Sequence, residues 1–111
     1  MAEIILDQTT AVADGSCKEY TLTVNGQAVD VFIVHYRGEF FAYRNLCPHT
    51  GISLNWQPDQ FLDVPQQHIQ CSTHGALFRI EDGYCEWGPC RGQSLTPFTL
   101  EQRDGQLILI A

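Results

Sequence analysis

Short runs of β-branched, aromatic and aliphatic residues recur along the chain and are separated by turn signals. Residues 20–24 and 29–36 flank Asn25-Gly26, and this dipeptide between two such runs is the strongest short hairpin signal. Arg37-Gly38 then leads into another apolar run at residues 39–43. No long segment has helical periodicity, so the pattern predicts strands joined by tight turns.

The two ends of the chain continue this pattern. Residues 98–101 and 106–110 flank Arg103-Asp104-Gly105 and predict a further hairpin, and residues 3–6 predict one more strand. Many short strands with regular turns are typical of a small all-β sandwich or barrel.

The region between residues 45 and 97 has a different texture. It holds all five prolines and both tryptophans. We therefore expect irregular loops and short strands inserted into the β scaffold, and loops on a rigid scaffold are where functional sites usually lie.

Length and composition restrict the class of protein. A chain of 111 residues is predicted to form a single domain, 1–111, and 44% hydrophobic with 17% charged residues is a globular composition. The N-terminus lacks a basic, apolar leader, and no run reaches the roughly 18 apolar residues of a membrane span. We expect a soluble, cytoplasmic protein without a membrane partner.

The chain carries 13 acidic and 6 basic residues, giving a net charge of −7. This balance argues against a nucleic-acid partner, which would need a basic stripe. Because the acids are scattered, they are first interpreted as a solvated surface. The alternative is that they steer the protein toward a basic redox partner.

Cysteines and histidines recur at metal-ligand spacing in two of the loops. One loop holds Cys47 and His49 as Cys-x-His, and after 21 residues a second holds Cys71 and His74 as Cys-x-x-His. In a cytoplasmic protein such a pattern indicates metal before disulfides. Two facing loops would offer both thiolates to one iron and both imidazoles to another, which is the ligand set of a Rieske centre.

On these motifs the chain resembles the Rieske ferredoxins, and the resemblance covers essentially its whole length. Gly88-Pro89 followed by Pro97 is similar to the proline loop of that family. The resemblance implies a small β-sandwich of Rieske type with an inserted cluster-binding subdomain at about 45–97. The gap between the ligand loops is longer than is common in the family, so we expect a surface excursion within residues 56–68.

The resemblance also implies the cofactor, one 2Fe–2S cluster held by Cys47, His49, Cys71 and His74. Two thiolates and two neutral imidazoles leave the oxidised site neutral, whereas four thiolates would leave it at −2. A neutral site accepts an electron more readily, and Rieske potentials span roughly −150 to +300 mV.

High-potential respiratory relatives carry a disulfide between the ligand loops and hydroxyls directed at the cluster. The corresponding positions here are Ile52 and Thr73 for the bridge, and Ala76 and Phe78 for the hydroxyls. Fewer donors to sulfur stabilise the reduced form less, so we predict a potential in the negative part of the range.

By resemblance the protein is an electron carrier, not an enzyme, and has no small-molecule substrate. His49 and His74 are expected at the exposed tip, with a flavin reductase and an aromatic-ring oxygenase as partners. The alternatives are a Rieske-like accessory subunit, as in nitrite reductase, and a structural Cys2His2 zinc module. A complete Rieske oxygenase is excluded on length.

The remaining cysteines, histidines and aromatic residues receive structural interpretations. Cys85 and Cys90 are interpreted as buried thiols, a labile disulfide or a redox group near the cluster, with buried thiols first. Cys17 is predicted to lie in a strand, and His35 and His68 to be structural or surface residues. The aromatic residues predicted to pack under the cluster loops are Trp56, Trp87, Phe78 and Phe98.

Overall fold

The computed structural model describes residues 3–46, 54, 61–62, 68–71, 75–88 and 92–110. Within these segments the chain forms strands and one single-turn 3-10 helix, with no α-helix, so the all-β prediction is confirmed. No helix in these segments is long and apolar enough to cross a membrane. The strands are β1 (Glu3–Gln8), β2 (Cys17–Val24), β3 (Gln27–Tyr36), β4 (Glu39–Arg44), β5 (His68–Gln70), β6 (Leu77–Arg79), β7 (Cys85–Trp87), β8 (Pro97–Arg103) and β9 (Gln106–Ile110).

Three two-residue turns join successive strands, at Asn25-Gly26, Arg37-Gly38 and Asp104-Gly105. Both residues of each turn have positive φ, between 52° and 79°. This is the type I′ conformation, whose twist matches that of the flanking strands. The three predicted hairpins are therefore confirmed.

The strands form two antiparallel sheets. The larger has the order β1-β9-β8-β4-β3-β2, and the smaller has the order β5-β6-β7. Strand β8 changes partner along its length, because Pro97 and Phe98 pair with β4 whereas its later residues pair with β9. The smaller sheet is inserted in sequence between β4 and β8.

The two edge strands of the larger sheet meet at Asp7. Its Oδ2 accepts hydrogen bonds from Lys18 Nζ at 3.0 Å and from Tyr20 Oη at 3.1 Å, and both donors lie on β2. The Lys18 ammonium is the main reason that the pKa of Asp7 lies below its usual range. This contact, which we call the edge clasp, shows that the sheet curves until its edges lie side by side.

Strand β3 is buried on both faces because successive side chains of a strand point in opposite directions. Val31 and Ile33 face one buried cluster, and Phe32 and Val34 face the other. The first, the base core, comprises Val12, Val31, Ile33, Ala42, Leu107 and Leu109. The second, the loop-side core, comprises Phe32, Val34, Tyr43, Leu54, Phe61, Ile69, Cys71, Ala76, Phe78, Ile80, Cys85 and Leu95.

Aromatic side chains join β3 and β4 to residues that flank the smaller sheet. Phe32 stacks on Phe61 with ring centroids 4.1 Å apart, and Tyr43 lies 5.9 Å from Phe32. The Tyr43 hydroxyl donates to the carbonyl oxygen of Ile80 at 2.6 Å. Burial raises the pKa of Tyr43, so the hydroxyl stays protonated and keeps this hydrogen bond even where an exposed tyrosine would ionise, above about pH 10.

Candidate metal centre

Of the four predicted ligands, Cys71 belongs to the described residues, whereas Cys47, His49 and His74 lie outside them. Cys71 directly follows β5 and is fully buried. Its backbone N–H donates to the Ala76 carbonyl at 2.9 Å, and its carbonyl accepts from the Gly75 N–H at 2.8 Å. These two bonds close the base of the loop between β5 and β6 and fix the backbone of the cysteine.

Gly75 completes this closure in a conformation that favours glycine. Its φ is +69°, in the left-handed region that other residues adopt at a cost. Glycine at this position therefore lets the backbone fold back at the base of the loop.

The first ligand loop is anchored by Asn45, which is buried. Its side-chain Oδ1 accepts from the Leu54 N–H at 2.8 Å, while its own N–H donates to the Asp30 carbonyl at 2.8 Å. Asn45 and Leu54, which stand on either side of Cys47 and His49 in the sequence, are therefore held together by one buried hydrogen bond. This anchoring role was not predicted from the sequence, although an amide side chain two residues after the predicted strand at 39–43 was an available signal.

Both ligand-bearing loops are rooted in the same buried cluster. Leu54, at the end of the first loop, and Cys71 and Ala76, at the base of the second, all belong to the loop-side core. One rigid core thus fixes the points from which the two loops extend.

A third segment approaches the base of the second loop at Gly88. A Cβ atom at this position would lie 2.8 Å from the Ala76 Cα, which is closer than real contacts, and φ is +105°. Only glycine allows β7 to end so near Ala76. Pro89 and Cys90, which follow it, lie outside the described residues.

Cys85 is fully buried in the loop-side core, and its Sγ donates to the Trp87 carbonyl at 3.3 Å. This supports the interpretation of Cys85 as a buried thiol. The disulfide alternative involves Cys90 and stays a prediction.

The four aromatic residues predicted to pack under the loops have different outcomes. Phe78 is fully buried in the loop-side core, as expected, and Trp56 lies outside the described residues. Phe98 pairs with Ala42 on β4 and packs against the base core, so its predicted place under the loops is wrong. Trp87 is 62% exposed, so its predicted burial is wrong.

A β-bulge explains the exposure of Trp87. Phe78 pairs with Cys85, but the preceding Leu77 pairs with Trp87, so Glu86 is an extra residue in β7. Without the bulge, Trp87 would share the buried face of Cys85, because residues two apart in a strand point the same way. The extra residue turns the indole to the outer face.

The other two histidines have the predicted structural and surface roles. His35 Nδ1 lies 2.8 Å from the Val12 carbonyl, and its ring stacks on Phe40 with centroids 3.9 Å apart. His68 Nε2 lies 3.1 Å from Glu86 Oε2.

The described residues include one of the four predicted ligands of a thiolate–imidazole site. Cys71 offers a soft thiolate ligand on a fixed strand end, in an apolar surrounding that suits a buried iron–sulfur group. Among the described segments, no group of three or more cysteine, histidine or acidic residues is placed to hold a metal. The complete four-residue ligand set therefore stays a prediction.

A β scaffold that roots two loops, each with one cysteine and one histidine in its sequence, in a single core defines a small all-β protein with a candidate metal centre. The model of the Rieske [2Fe-2S] domain family matches residues 3–102. The chain belongs to this family, and its cofactor is accordingly a Rieske-type 2Fe–2S cluster.

Solved structures with the same fold include ferredoxins and oxygenases. The ferredoxin of carbazole 1,9a-dioxygenase from Nocardioides aromaticivorans IC177 matches with a TM-score of 0.74 and 16% identity, over 98% of this chain and 97% of that one. A chain from a complex of reduced oxygenase and oxidized ferredoxin in carbazole 1,9a-dioxygenase matches with a TM-score of 0.75 and 19% identity, over 96% of this chain and 91% of that one.

The terminal oxygenase of carbazole 1,9a-dioxygenase from Novosphingobium sp. KA1 gives a TM-score of 0.79 and 19% identity, over 98% of this chain but only 29% of that one. No curated protein matches the chain by sequence. At these identities the structural likeness establishes the fold.

Proposed function

We propose that the protein is an electron carrier that exchanges single electrons through a 2Fe–2S cluster bound by Cys47, His49, Cys71 and His74. The observation that carries the proposal is the shared rooting of both motif loops in the loop-side core, with Cys71 fixed at a closed loop base. The bound cluster supplies the redox chemistry, and the protein positions it and limits its contact with water.

The surroundings of Cys71 support a low potential. Ala76 and Phe78 are both fully buried in the same core, and neither has a hydroxyl to donate to a sulfur atom. Hydrogen bonds to sulfur stabilise the more negative reduced form, so their absence at these two positions lowers the potential. We propose a midpoint in the negative part of the Rieske range.

The proposed electron acceptor is the oxygenase component of a multicomponent oxygenase, with a flavin reductase as donor. The support for the acceptor is the full-length likeness in fold to a dioxygenase ferredoxin and to a protein in an oxygenase–ferredoxin complex. The support for the reductase is the family resemblance alone.

The cluster assignment is tested by electron paramagnetic resonance of the dithionite-reduced protein. We expect an average g-value below that of an all-cysteine cluster, because two ligands are imidazoles. His49→Ala and His74→Ala should abolish or alter the spectrum. His68→Ala is the matched control and should leave it unchanged, since His68 interacts with Glu86. Stoichiometric zinc in a colourless protein, or a midpoint well above zero, would contradict the respective parts of the proposal.

The partner is tested by stopped-flow mixing of the reduced protein with oxidised terminal oxygenase of carbazole 1,9a-dioxygenase. We expect re-oxidation of this protein together with reduction of the oxygenase. Rapid re-oxidation by ferricyanide without transfer to the oxygenase would retain the electron carrier and overturn this acceptor class.

A further inference from the structure

Trp87 is the most exposed large hydrophobic side chain among the described residues, at 62%, followed by Ile5 at 61%. An indole ring that remains largely in water forgoes the favourable free energy of burial. Exposed aromatic side chains next to a functional site are typical anchors of protein–protein contacts.

The bulge at Glu86 is what places the ring outside. It pairs Trp87 with Leu77 instead of leaving it on the face of Cys85. Bulges near functional sites commonly redirect one side chain, and this bulge redirects the largest side chain of the smaller sheet.

The backbone of Trp87 is held while its ring is exposed. The Cys85 Sγ donates to the Trp87 carbonyl, and Gly88 is confined against Ala76. A side chain on a fixed backbone loses less conformational freedom when a partner covers it.

The indole lies beside the second ligand loop. A Cβ atom built on Gly75 would lie 3.8 Å from Trp87 Cζ3, so the ring borders the residue that directly follows His74 in the sequence. A partner that covers the ring would also lie against this loop.

The net charge indicates the chemistry of the partner. The hairpin of β6 and β7 carries three carboxylates, Glu81, Asp82 and Glu86, against one guanidinium, Arg79, which pairs with Asp82 and Glu86. The whole chain is also acidic, at −7. A negatively charged protein that exposes an apolar anchor complements a basic partner that offers an apolar pocket.

We propose that Trp87 is the apolar anchor by which a basic redox protein docks beside the second ligand loop. This inference rests on the proposed function, because docking there serves electron transfer from the cluster. One electron leaves the reduced cluster and reduces the partner's oxidised centre, with no bond made or broken.

Oxidised cytochrome c, a basic haem protein, is the probe acceptor, and reduction of its ferric haem gives the second-order rate constant. Trp87→Glu and Trp87→Lys should each lower this constant about tenfold or more, because both remove the apolar anchor. Trp87→Phe should retain most of the rate. Ile5→Glu and Ile5→Lys are the matched controls and should have much smaller effects, since they introduce the same charges at an equally exposed site on β1.

Ferricyanide oxidation and the midpoint potential are measured in every variant and should stay unchanged. A Trp87→Glu protein as fast as wild type toward cytochrome c would overturn the anchor and indicate attraction by charge alone. Loss of the cluster in both charged variants would show a structural role and would also overturn it. A wild-type protein that reduces ferricyanide but not cytochrome c would contradict the proposed transfer to protein partners.

Discussion

The two faces of strand β3 look onto two cores that are built differently. The base core draws aliphatic side chains such as Ile33 and Leu109 from long neighbouring strands of one continuous sheet. The loop-side core combines an aromatic stack, two cysteines, and residues from three strands of only three residues each. Regular strand pairing organises the first core, whereas the second depends on loop closures at Asn45 and Cys71.

We therefore interpret the base core as the scaffold of the fold, and the loop-side core as the holder of the two motif loops. Long paired strands have many backbone hydrogen bonds that support one another, so we expect the base core to persist without a cofactor. The smaller sheet has few such bonds, and isolated short strands are marginal in water. Strands β3 and β4 border both cores. We therefore expect a destabilising change in the loop-side core to leave the base core folded, whereas one in the base core should destabilise both cores.

Removal of the proposed cluster by reduction and chelation should have the largest effect. Without metal–ligand bonds, amide protons of β5, β6 and β7 should exchange rapidly, while those of β3 and β9 stay protected. Hydrogen exchange with mass spectrometry measures both. Unchanged protection throughout, or equal loss in both sheets, would contradict the division into scaffold and holder.

Neighbouring substitutions in β3 test the two cores separately. Phe32→Ala should lower the free energy of unfolding by about 3–5 kcal/mol and Ile33→Ala by about 2–5 kcal/mol, since both side chains are fully buried. Only Phe32→Ala removes the stack on Phe61, so it should also speed cluster loss markedly. Denaturant titration and the decay of visible absorbance measure the two effects. Equal rates of cluster loss would show that the cores are not distinct.

Two glycines after β7 provide a matched pair. Gly88→Ala should cost about 2–5 kcal/mol, from a strained backbone and overlap with Ala76. Gly92 has a φ of +91°, but a Cβ atom there would meet nothing within 4 Å. Gly92→Ala should therefore lower the free energy of unfolding only through its backbone conformation, by about 1–2 kcal/mol. Thermal unfolding compares them, and the cluster spectrum should change only in Gly88→Ala. Equal costs would argue against tight packing of Gly88 on Ala76.

The edge clasp should give the smallest effect, and it depends on pH. Because the folded pKa of Asp7 lies below its ordinary value of 3.8, the ionised carboxylate stabilises the fold above that pH. This contribution is lost as the pH falls through the lower folded pKa. Asp7→Asn should therefore be less stable than wild type near neutrality, and the difference should shrink below pH 3.8. A difference independent of pH would exclude the charge as its cause.

The fold was predictable where local signals and final pairing agree. Asn25-Gly26 and Asp104-Gly105 mark hairpins because their preferred backbone conformations are those of the turn itself. Strand ends were less predictable. Cys17 lies in β2 as predicted, but this strand runs on without a break into the predicted run at 20–24, because its first residues pair with Val34, Ile33 and Phe32 on the neighbouring strand.

The sequence predicted candidate ligands for the site but not the contacts that position the residues around them. Spacing and the family resemblance predicted Cys71 as a ligand, and this stays a prediction, whereas the family of the chain is established. The anchoring amide of Asn45 and the outward turn of Trp87 depend on contacts with Leu54 and Leu77, which local sequence does not specify. A bulge in particular arises from how two strands pair, so the sequence did not show that Trp87 faces outward.

The edge clasp has a further consequence, for how copies of the protein behave toward one another. An unpaired strand edge is a template for another chain, and proteins protect such edges to avoid aggregation. Here β1 and β2 cover one another where Asp7 meets Lys18 and Tyr20. The smaller sheet is flanked likewise, by bridges of Leu62 with Ile69 and of Tyr84 with Ser94. Acidification that loosens Asp7 should therefore favour self-association before unfolding, and concentrated samples should be kept well above pH 4.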